Sequence, residues 1–367
     1  MLCLSFGMNS CIHAGLRWLA ISGIQNQSGG VSEGFHADTR SYAPLSTTAT
    51  GYYISAQLWS QRFSRGALPA TASRAGSFLL EHAFNMSAEM FPVRVGDNDK
   101  EEAHLAYFLD CTVVVRSLTQ LWDSTKDPAF LECAERCGLA LHSRMPTVDG
   151  AFFPIYDFKT DRAYAEIGSW REEMGVPQLK GGLALLELYK ATGRGEFEHD
   201  AEALRKWCLR RHESFLPGEV DDAKIIERLH AYCLFLEGLL PGVALDADSG
   251  RILQFGILRV ENFLDEFGPE LQRCDVLAQI LRLRLYADKL GLMELDYKRA
   301  EEEAAAIVEF QTQSADPKSD GAFTRYRHTT NSRPQLDLTA TVFAMQALDM
   351  WDQAEEGGLR DPWEVLI

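Results

Sequence analysis

Two kinds of helical segment alternate along this sequence, and the alternation constrains the fold more than any other feature. Six segments are apolar on nearly every side, which predicts helices that are buried all round. These segments occupy residues 46–59, 109–122, 177–189, 229–240, 274–286 and 336–351. Because a single neighbour cannot shield such a helix from water, each of them must pack among several other helices.

The segments between them carry one apolar stripe each. Their apolar residues recur at spacings of three and four, which is the period of one helix face. The clearest stripe consists of Phe130, Cys133, Ala134, Cys137 and Leu141. Residues 195–209 and 297–308 repeat this pattern. With further helices near 10–24, 66–83 and 247–266, the sequence predicts about a dozen helices.

Six pairs, each of one buried and one amphipathic helix, predict a closed double ring with the buried helices inside. An open superhelix of helical repeats is the alternative. The buried segments begin about 45 to 70 residues apart, whereas solenoid repeats keep one period. Closure also leaves no apolar end face that would need a cap. We therefore predict an all-α fold in which residues 1–367 form a single domain.

Charge and motif content exclude several classes of function. The formal net charge of −17 argues against a nucleic-acid partner, because phosphate binding needs clustered lysine and arginine. No apolar run reaches the roughly 20 residues that span a bilayer, so we expect no membrane insertion. The sequence contains no HExxH, no paired Cys/His zinc pattern and no Walker loop. We therefore expect neither a metal nor a cofactor.

The eight cysteines and the N-terminal segment bear on the cellular compartment. Cys133, Cys137, Cys208 and Cys233 lie in helical stripes, and no two cysteines form a CxxC pair. Buried free thiols in a reducing cytoplasm are the favoured interpretation. Residues 1–23 are apolar but lack a basic start and a small-residue cleavage site, so we interpret them as a first helix. A signal peptide, and with it a secreted or periplasmic protein, is the alternative.

A short phrase recurs where helices meet. It reads Gln25 with Gly29-Gly30, then Asp149-Gly150-Ala151-Phe152, then Gln311 with Asp320-Gly321-Ala322-Phe323. This pattern resembles the glutamine, glycine and aromatic punctuation of (α/α)6 toroid proteins. That superfamily covers terpenoid cyclases and protein prenyltransferases, and the similar six-hairpin glycoside hydrolases, polysaccharide lyases and sugar epimerases. Glycine allows a left-handed turn in this phrase, and we expect the aromatic ring to fill the gap between neighbouring helices.

The resemblance implies a double ring with long loops at one mouth, where the inner helices begin. Polar residues that open the buried helices would then line a central cavity. These residues are Thr47, Thr48, Asp110, Lys180, His230, Asp275 and Asp337. We nominate as catalytic Asp110, Asp275, Asp337, His230 and the loop residue Glu173. Glycosidic bond cleavage needs a pair of carboxyl groups, which these acids can supply. Thr47, Asp110, Asp275 and Asp337 also suit the plainer role of helix N-cap.

The long loops contribute candidates for ligand binding. These are His36, Arg40, Tyr42, Trp170, Arg171, Lys180, Arg325, Tyr326, Arg327 and His328. The run from Arg325 to Arg333 is cationic and contains no acid. Guanidinium groups bind carboxylates in a bidentate manner, and histidine beside arginine suits proton abstraction next to a uronate carboxylate. A solvated surface loop is the alternative for this run.

The resemblance and these residues favour a carbohydrate-active enzyme acting on an acidic polysaccharide or oligosaccharide, in polysaccharide biosynthesis or turnover. A lyase, a hydrolase and an epimerase remain open as its type, and the partner is a glycan or another small molecule in the central cavity. One alternative is a terpenoid-cyclase-like protein. Residues 336–343 resemble the segment that carries the cyclase acid, but neither DxDD nor DDxxD occurs. The other alternative is a glycan-binding protein without catalysis.

Overall fold

A computed structural model describes residues 2–64, 68–96, 103–166, 169–216, 222–267, 272–327 and 335–367. Helices dominate these residues, as the periodicity predicts. They are α1 Leu2–Ile21, α2 Thr47–Trp59, α3 Ala70–Phe78, α4 Phe108–Thr125, α5 Pro128–Arg144, α6 Leu179–Thr192, α7 Gly195–Arg211, α8 Asp222–Leu239, α9 Ala247–Phe267, α10 Cys274–Lys289, α11 Tyr297–Val308 and α12 Leu338–Glu355. Each helical segment predicted from the sequence coincides with one of these helices.

Ten short strands lie in the described loops, and sequence patterning predicts none of them. They are β1 Gly34–His36, β2 Ser41–Tyr42, β3 Leu45–Ser46, β4 Arg94–Val95, β5 Leu105–Tyr107, β6 Thr147–Val148, β7 Ala151–Phe152, β8 Ile155–Asp157, β9 Arg162–Tyr164 and β10 Gln335–Asp337. The sheets have the orders β10-β1-β2, β3-β4, β5-β8-β9 and β6-β7, and every pairing is antiparallel. Strands of two or three residues are too short to show an alternating pattern.

The chain forms two compact units. The first unit contains Met1–Ile24, Glu33–Ala43 and Leu216–Ile367, and the second contains Gln25–Ser32 and Pro44–Phe215. In the first unit α10 packs against α8, α9, α11 and α12, and α12 also packs against α1. In the second unit α4 packs against α2, α5 and α6. Most residues of α4, α10 and α12 are buried, as their all-round apolar sequences predict. That residues 1–367 form one domain stays a prediction.

The recurring glycine and aromatic phrase has the packing role that the sequence predicts. Gly150 and Gly321 have φ angles of +108° and +89°. A Cβ atom at Gly321 would lie 2.2 Å from the Ala14 carbonyl oxygen, and one at Gly150 would lie 2.5 Å from the Ala203 carbonyl oxygen. Phe152 and Phe323 are fully buried. In each phrase, therefore, the glycine backbone packs directly against a neighbouring helix, and the aromatic ring that follows is buried.

Glutamine side chains hold these phrases in place. Gln311 Nε2 donates to the carbonyl oxygens of Gly321, at 3.0 Å, and of Cys11 in α1, at 2.8 Å. In the second unit Gln178 accepts from the Phe152 amide at 3.1 Å and donates to the Phe152 carbonyl at 2.8 Å. Satisfied backbone groups are what allow these turns to be buried.

We predict that Gly150→Ala destabilises the protein more than Gly193→Ala. Both glycines have positive φ, but nothing lies within 4 Å of a Cβ atom built at Gly193. Gly193→Ala should therefore cost only the left-handed backbone penalty, about 1 kcal/mol. Gly150→Ala adds the clash with Ala203 and should cost about 1–3 kcal/mol more. Urea unfolding measures both changes, and equal costs would show that the close approach does not constrain this turn.

Candidate functional site

In the first unit, two buried helices begin side by side. The amide of Cys274, the first residue of α10, donates to the Arg325 carbonyl at 3.0 Å. The amide of Asp337, which caps α12, donates to the Phe323 carbonyl at 2.9 Å. Arg273 also forms a backbone bridge with Tyr326. The segment 323–326 thus joins the starting ends of both helices.

The second unit shows the same arrangement. The Thr47 amide at the start of α2 donates to the Val93 carbonyl, and the Val93 amide donates to the Leu105 carbonyl just before α4. The Phe108 amide of α4 donates to the Pro154 carbonyl, and Phe152 is bonded to Gln178, which precedes α6. The starts of α10 and α12 are therefore neighbours in the first unit, and those of α2, α4 and α6 are linked in the second.

An ion-pair network occupies the starting end of α10. The Arg273 guanidinium donates to both Asp275 oxygens, at 2.9 and 2.5 Å, and both side chains are buried. A second carboxylate, that of Glu227 on α8, lies 2.6 Å from Arg273 Nη1. Burial tends to raise the pKa of Asp275, but the adjacent Arg273 and His230 outweigh it and hold that pKa well below its usual range. Asp275 is therefore a fixed negative charge.

His230 on α8 lies beside this ion-pair network. Its Nδ1 lies 2.8 Å from Gln279 Oε1 and 3.6 Å from Asp275 Oδ2. Because an amide oxygen only accepts, Nδ1 carries the hydrogen and the lone pair is on Nε2. Burial lowers the pKa of His230 to about 4, although Asp275 opposes the shift. At neutral pH the imidazole is uncharged and can act as a base.

Three further residues complete the network. Arg325 Nη2 donates to Asp337 Oδ2 at 2.6 Å, and Asp337 Oδ1 accepts the Ala340 amide as the N-cap of α12. Tyr326 is half exposed, and its hydroxyl donates to Glu227 Oε1 at 2.6 Å. Burial raises the pKa of Tyr326 to about 12, so the phenol keeps its proton. The structure thus brings together five residues nominated from the sequence, namely His230, Asp275, Arg325, Tyr326 and Asp337.

Arg273, Glu227 and Gln279 belong to this network and were not nominated from the sequence. Glu227 precedes His230 by three residues, and Gln279 follows Asp275 by four. Residues at these spacings share a helix face, so the sequence did contain a signal for both. Arg273 precedes α10 and has no such signal.

The N-cap predictions are confirmed for Asp337 and wrong for the other three residues. Thr47, Asp110 and Asp275 lie inside the first turns of their helices, which are preceded by Ser46, Tyr107 and Arg273. The β-pairings of these preceding residues keep them extended up to the helix start, so the N-cap position falls one residue before Thr47, three before Asp110 and two before Asp275. His230 lies in the middle of α8, because this helix already begins at Asp222 and not near residue 229.

The other nominated residues of the first unit bond outside this network. Arg327 pairs with Glu309 at 2.6 Å, and Arg40 pairs with Asp316 at 2.8 Å. The Tyr42 hydroxyl donates to the Ser22 carbonyl, and His36 lies in β1 opposite Gln335 and Ser41. His328 lies outside the described residues. Acids from other elements, Asp337 and Glu309, therefore pair with the two described arginines of the cationic run, Arg325 and Arg327.

The nominated residues of the second unit lie around the starts of α4 and α6. Asp110 is buried, and its Oδ1 lies 3.9 Å from Arg171 Nη2. Lys180 is buried in the first turn of α6. The Arg171 guanidinium lies 5.4 Å from the centre of the Trp170 ring, and the Glu173 amide bonds to the Ser169 carbonyl.

The described residues contain neither a membrane-spanning helix nor a metal-binding cluster. None of their helices is long and apolar enough to cross a bilayer. The same residues contain no group of three histidine, cysteine or acidic side chains arranged to hold a metal ion. The cysteines described by the structure are free thiols, and Cys133, Cys137, Cys208 and Cys233 are buried.

The fold of this chain is similar to the folds of several solved structures. A scan against protein-family models and a search of curated proteins each found no match. Among solved structures, the chain is similar to a cellobiose 2-epimerase from Bacillus thermoamylovorans, with TM-score 0.71 and 12% identity over 95% of this chain and 100% of that chain. A cellobiose 2-epimerase from Spirochaeta thermophila gives TM-score 0.69 and 15% identity over 94% and 96% of the two chains.

A D-mannose isomerase gives TM-score 0.67 and 11% identity over 94% of this chain and 97% of that chain. At these identities the likeness shows the fold, and it extends over nearly the whole of each chain. Together with the helices described above, it confirms the all-α prediction: the chain has the (α/α)6 toroid fold.

Proposed function

We propose that this protein is a carbohydrate-active enzyme that transfers a proton at a sugar carbon, as an epimerase or isomerase does. The observation that carries the proposal is a buried, uncharged histidine, His230, whose Nδ1 is fixed by Gln279 beside two arginines. The similarity to cellobiose 2-epimerases and to a mannose isomerase supports it.

The chemistry follows from the positions of the charges. His230 Nε2 would take the proton from the carbon next to the carbonyl group of an open-chain sugar. Negative charge then develops on the carbonyl oxygen, and Arg273 and Arg325 supply guanidinium donors within the same network. Protonation of the resulting enediolate by a solvent-derived proton on the opposite face gives an epimer. Protonation at the former carbonyl carbon, with a proton moved between the two oxygens, gives an isomer.

A neutral sugar fits this network better than an acidic one. Two guanidinium groups, of Arg273 and Arg325, face three carboxylates, of Glu227, Asp275 and Asp337. Among the described residues the network is net negative and cannot balance the full charge of a uronate carboxylate, although a guanidinium N–H can still donate to a sugar oxygen. This balance shifts our proposal away from the acidic polysaccharide that the cationic loop favoured.

The hydrolase alternative has weaker support in the first unit. Hydrolysis of a glycosidic bond needs one protonated carboxyl group as acid and one ionised carboxylate. The Arg273 guanidinium holds the pKa values of Asp275 and Glu227 below their usual ranges even though burial opposes this. Neither can serve as the proton donor at neutral pH. A terpenoid cyclase needs an even stronger carboxylic acid, so this network favours it less.

The pH dependence of turnover distinguishes a buried histidine base from an exposed one. Because burial lowers the pKa of His230 to about 4, kcat/KM should stay high at pH 5 and fall only as the pH approaches 4. The unfolded chain binds this proton near pH 6.5, so folding stability should begin to decline as the pH falls below that value. Initial rates between pH 3.5 and 8 test the first statement. An acid limb centred at pH 6.5 would contradict it.

The proposal is tested by product analysis over a mixed panel of sugars. Glucose, mannose, cellobiose and uronate-containing oligosaccharides are incubated with the protein and examined by NMR. We expect epimers or isomers of the neutral sugars. New reducing ends would indicate hydrolysis, and an unsaturated-uronate absorbance would indicate β-elimination. If no sugar changes across the panel, the non-catalytic glycan-binding alternative replaces the proposal.

A further inference from the structure

The second unit contains a buried carboxyl group with an unsatisfied oxygen. Asp110 is 3% exposed, and its Oδ2 has no hydrogen-bond partner among the described residues. The Arg171 guanidinium lies 3.9 Å from the other oxygen, which is beyond hydrogen-bond distance. A buried acceptor without a donor destabilises the folded state, so such a group is rare unless it serves a ligand.

A second unsatisfied group lies at the same edge of this unit. The Thr48 hydroxyl is buried in the first turn of α2 and has no partner among the described residues. The neighbouring Thr47 hydroxyl, by contrast, donates to the Pro92 carbonyl at 2.8 Å. The starts of α2 and α4 are joined through Val93 and Leu105, so Thr48 and Asp110 open two adjacent helices.

Another buried acid of the second unit has a side-chain partner for its carboxyl oxygen. Asp200 is as deeply buried as Asp110, but its Oδ2 lies 2.7 Å from His142 Nδ1. Burial of an acid in this unit therefore does not by itself leave its oxygens unsatisfied.

The surrounding charges define the ligand. Asp110 disfavours an anion, while Arg171 and the buried Lys180 at the start of α6 disfavour a cation. A carboxyl oxygen accepts from a hydroxyl group, and a threonine hydroxyl both donates and accepts. We propose that Asp110 and Thr48 bind hydroxyl groups of a neutral sugar within the second unit. The proposal concerns binding alone and does not depend on proton transfer by His230.

Isothermal titration of the full chain with glucose, mannose and cellobiose tests this proposal. Asp110→Asn should weaken binding of at least one of these sugars about 10-fold or more, because a charge-assisted hydrogen bond is lost. Its Tm should be unchanged or higher, because an unsatisfied buried oxygen is replaced. Thr48→Val, which keeps the side-chain shape, should also weaken binding. The control is Asp200→Asn, which should lower Tm through loss of the His142 contact and leave the affinity unchanged.

Several outcomes would overturn the proposal. These are an unchanged affinity in Asp110→Asn, or a wild-type protein that binds none of the three sugars at millimolar concentration. If Asp110→Asn also lowers Tm, its weaker binding does not separate loss of the site from loss of the fold. The Thr48→Val variant then decides, and an unchanged affinity in Thr48→Val would reject the site. A protein that binds sugar but converts none would reject the proposed catalysis and leave this site standing.

Discussion

Replacing His230 with asparagine should lower turnover by about 10²–10⁴-fold, the usual contribution of a positioned general base. The asparagine side chain can keep a donor near Gln279 Oε1, where His230 Nδ1 now lies at 2.8 Å. It cannot accept a proton at the position of Nε2. The effect should therefore appear in kcat, with little change in Tm.

His142→Asn is the matched control for this variant. His142 also approaches a carboxylate through Nδ1, at 2.7 Å from Asp200, but it is partly exposed and lies on α5. We expect its turnover to equal that of the wild type. Circular dichroism and initial rates measured on both variants separate loss of the base from loss of the fold. Equal turnover in both variants would exclude His230 as the base.

Replacing Arg282 with methionine should have the largest effect on stability. Arg282 and Glu237 are fully buried in the first unit, and Arg282 Nη2 donates to Glu237 Oε1 at 2.6 Å. The same guanidinium donates to Gln346 at 3.0 Å and lies 4.2 Å from the centre of the Phe343 ring. Arg282→Met removes the cation and keeps the buried carboxylate. The free energy of unfolding should fall by about 3–5 kcal/mol.

Two further variants make this prediction specific. Adding Glu237→Leu to Arg282→Met removes the buried charge and should restore much of the lost stability. Arg251→Met breaks the exposed pair of Arg251 with Asp248, in which both side chains are more than half exposed, and should change stability by less than about 1 kcal/mol. Urea unfolding measures all three. A cost for Arg282→Met no larger than that for Arg251→Met would contradict the prediction.

The helices could be predicted from the sequence because a stripe or an all-round apolar pattern persists over ten or more residues. The start of α8 could not, because four of the residues 222–228 are charged and this stretch lacks the all-round apolar pattern, although Ile225 and Ile226 within it are buried. The β-hairpins were missed because their strands contain two or three residues. The glycine and aromatic phrase was recognised because its residue types are restricted by backbone geometry.

The site was predicted in part. Asp275 and Asp337 could be found because buried helices that open with polar side chains bring those side chains together. Arg273 could not, because its partners Asp275 and Glu227 are known only once α8 and α10 are packed. The positive charges of Arg325 and Arg327 were misleading as a signal for an anionic ligand. Their partners, Asp337 and Glu309, lie on other elements and are known only once the chain is packed.

The proposed function depends most on the removal of a proton from a sugar carbon by His230. NMR detection of deuterium in sugars recovered from the reaction in ²H₂O tests it most directly. We expect deuterium at the carbon next to the carbonyl group with the wild-type protein, and at least about 100-fold slower incorporation with His230→Asn. Conversion without deuterium in any product, or incorporation at an unchanged rate in the variant, would contradict it.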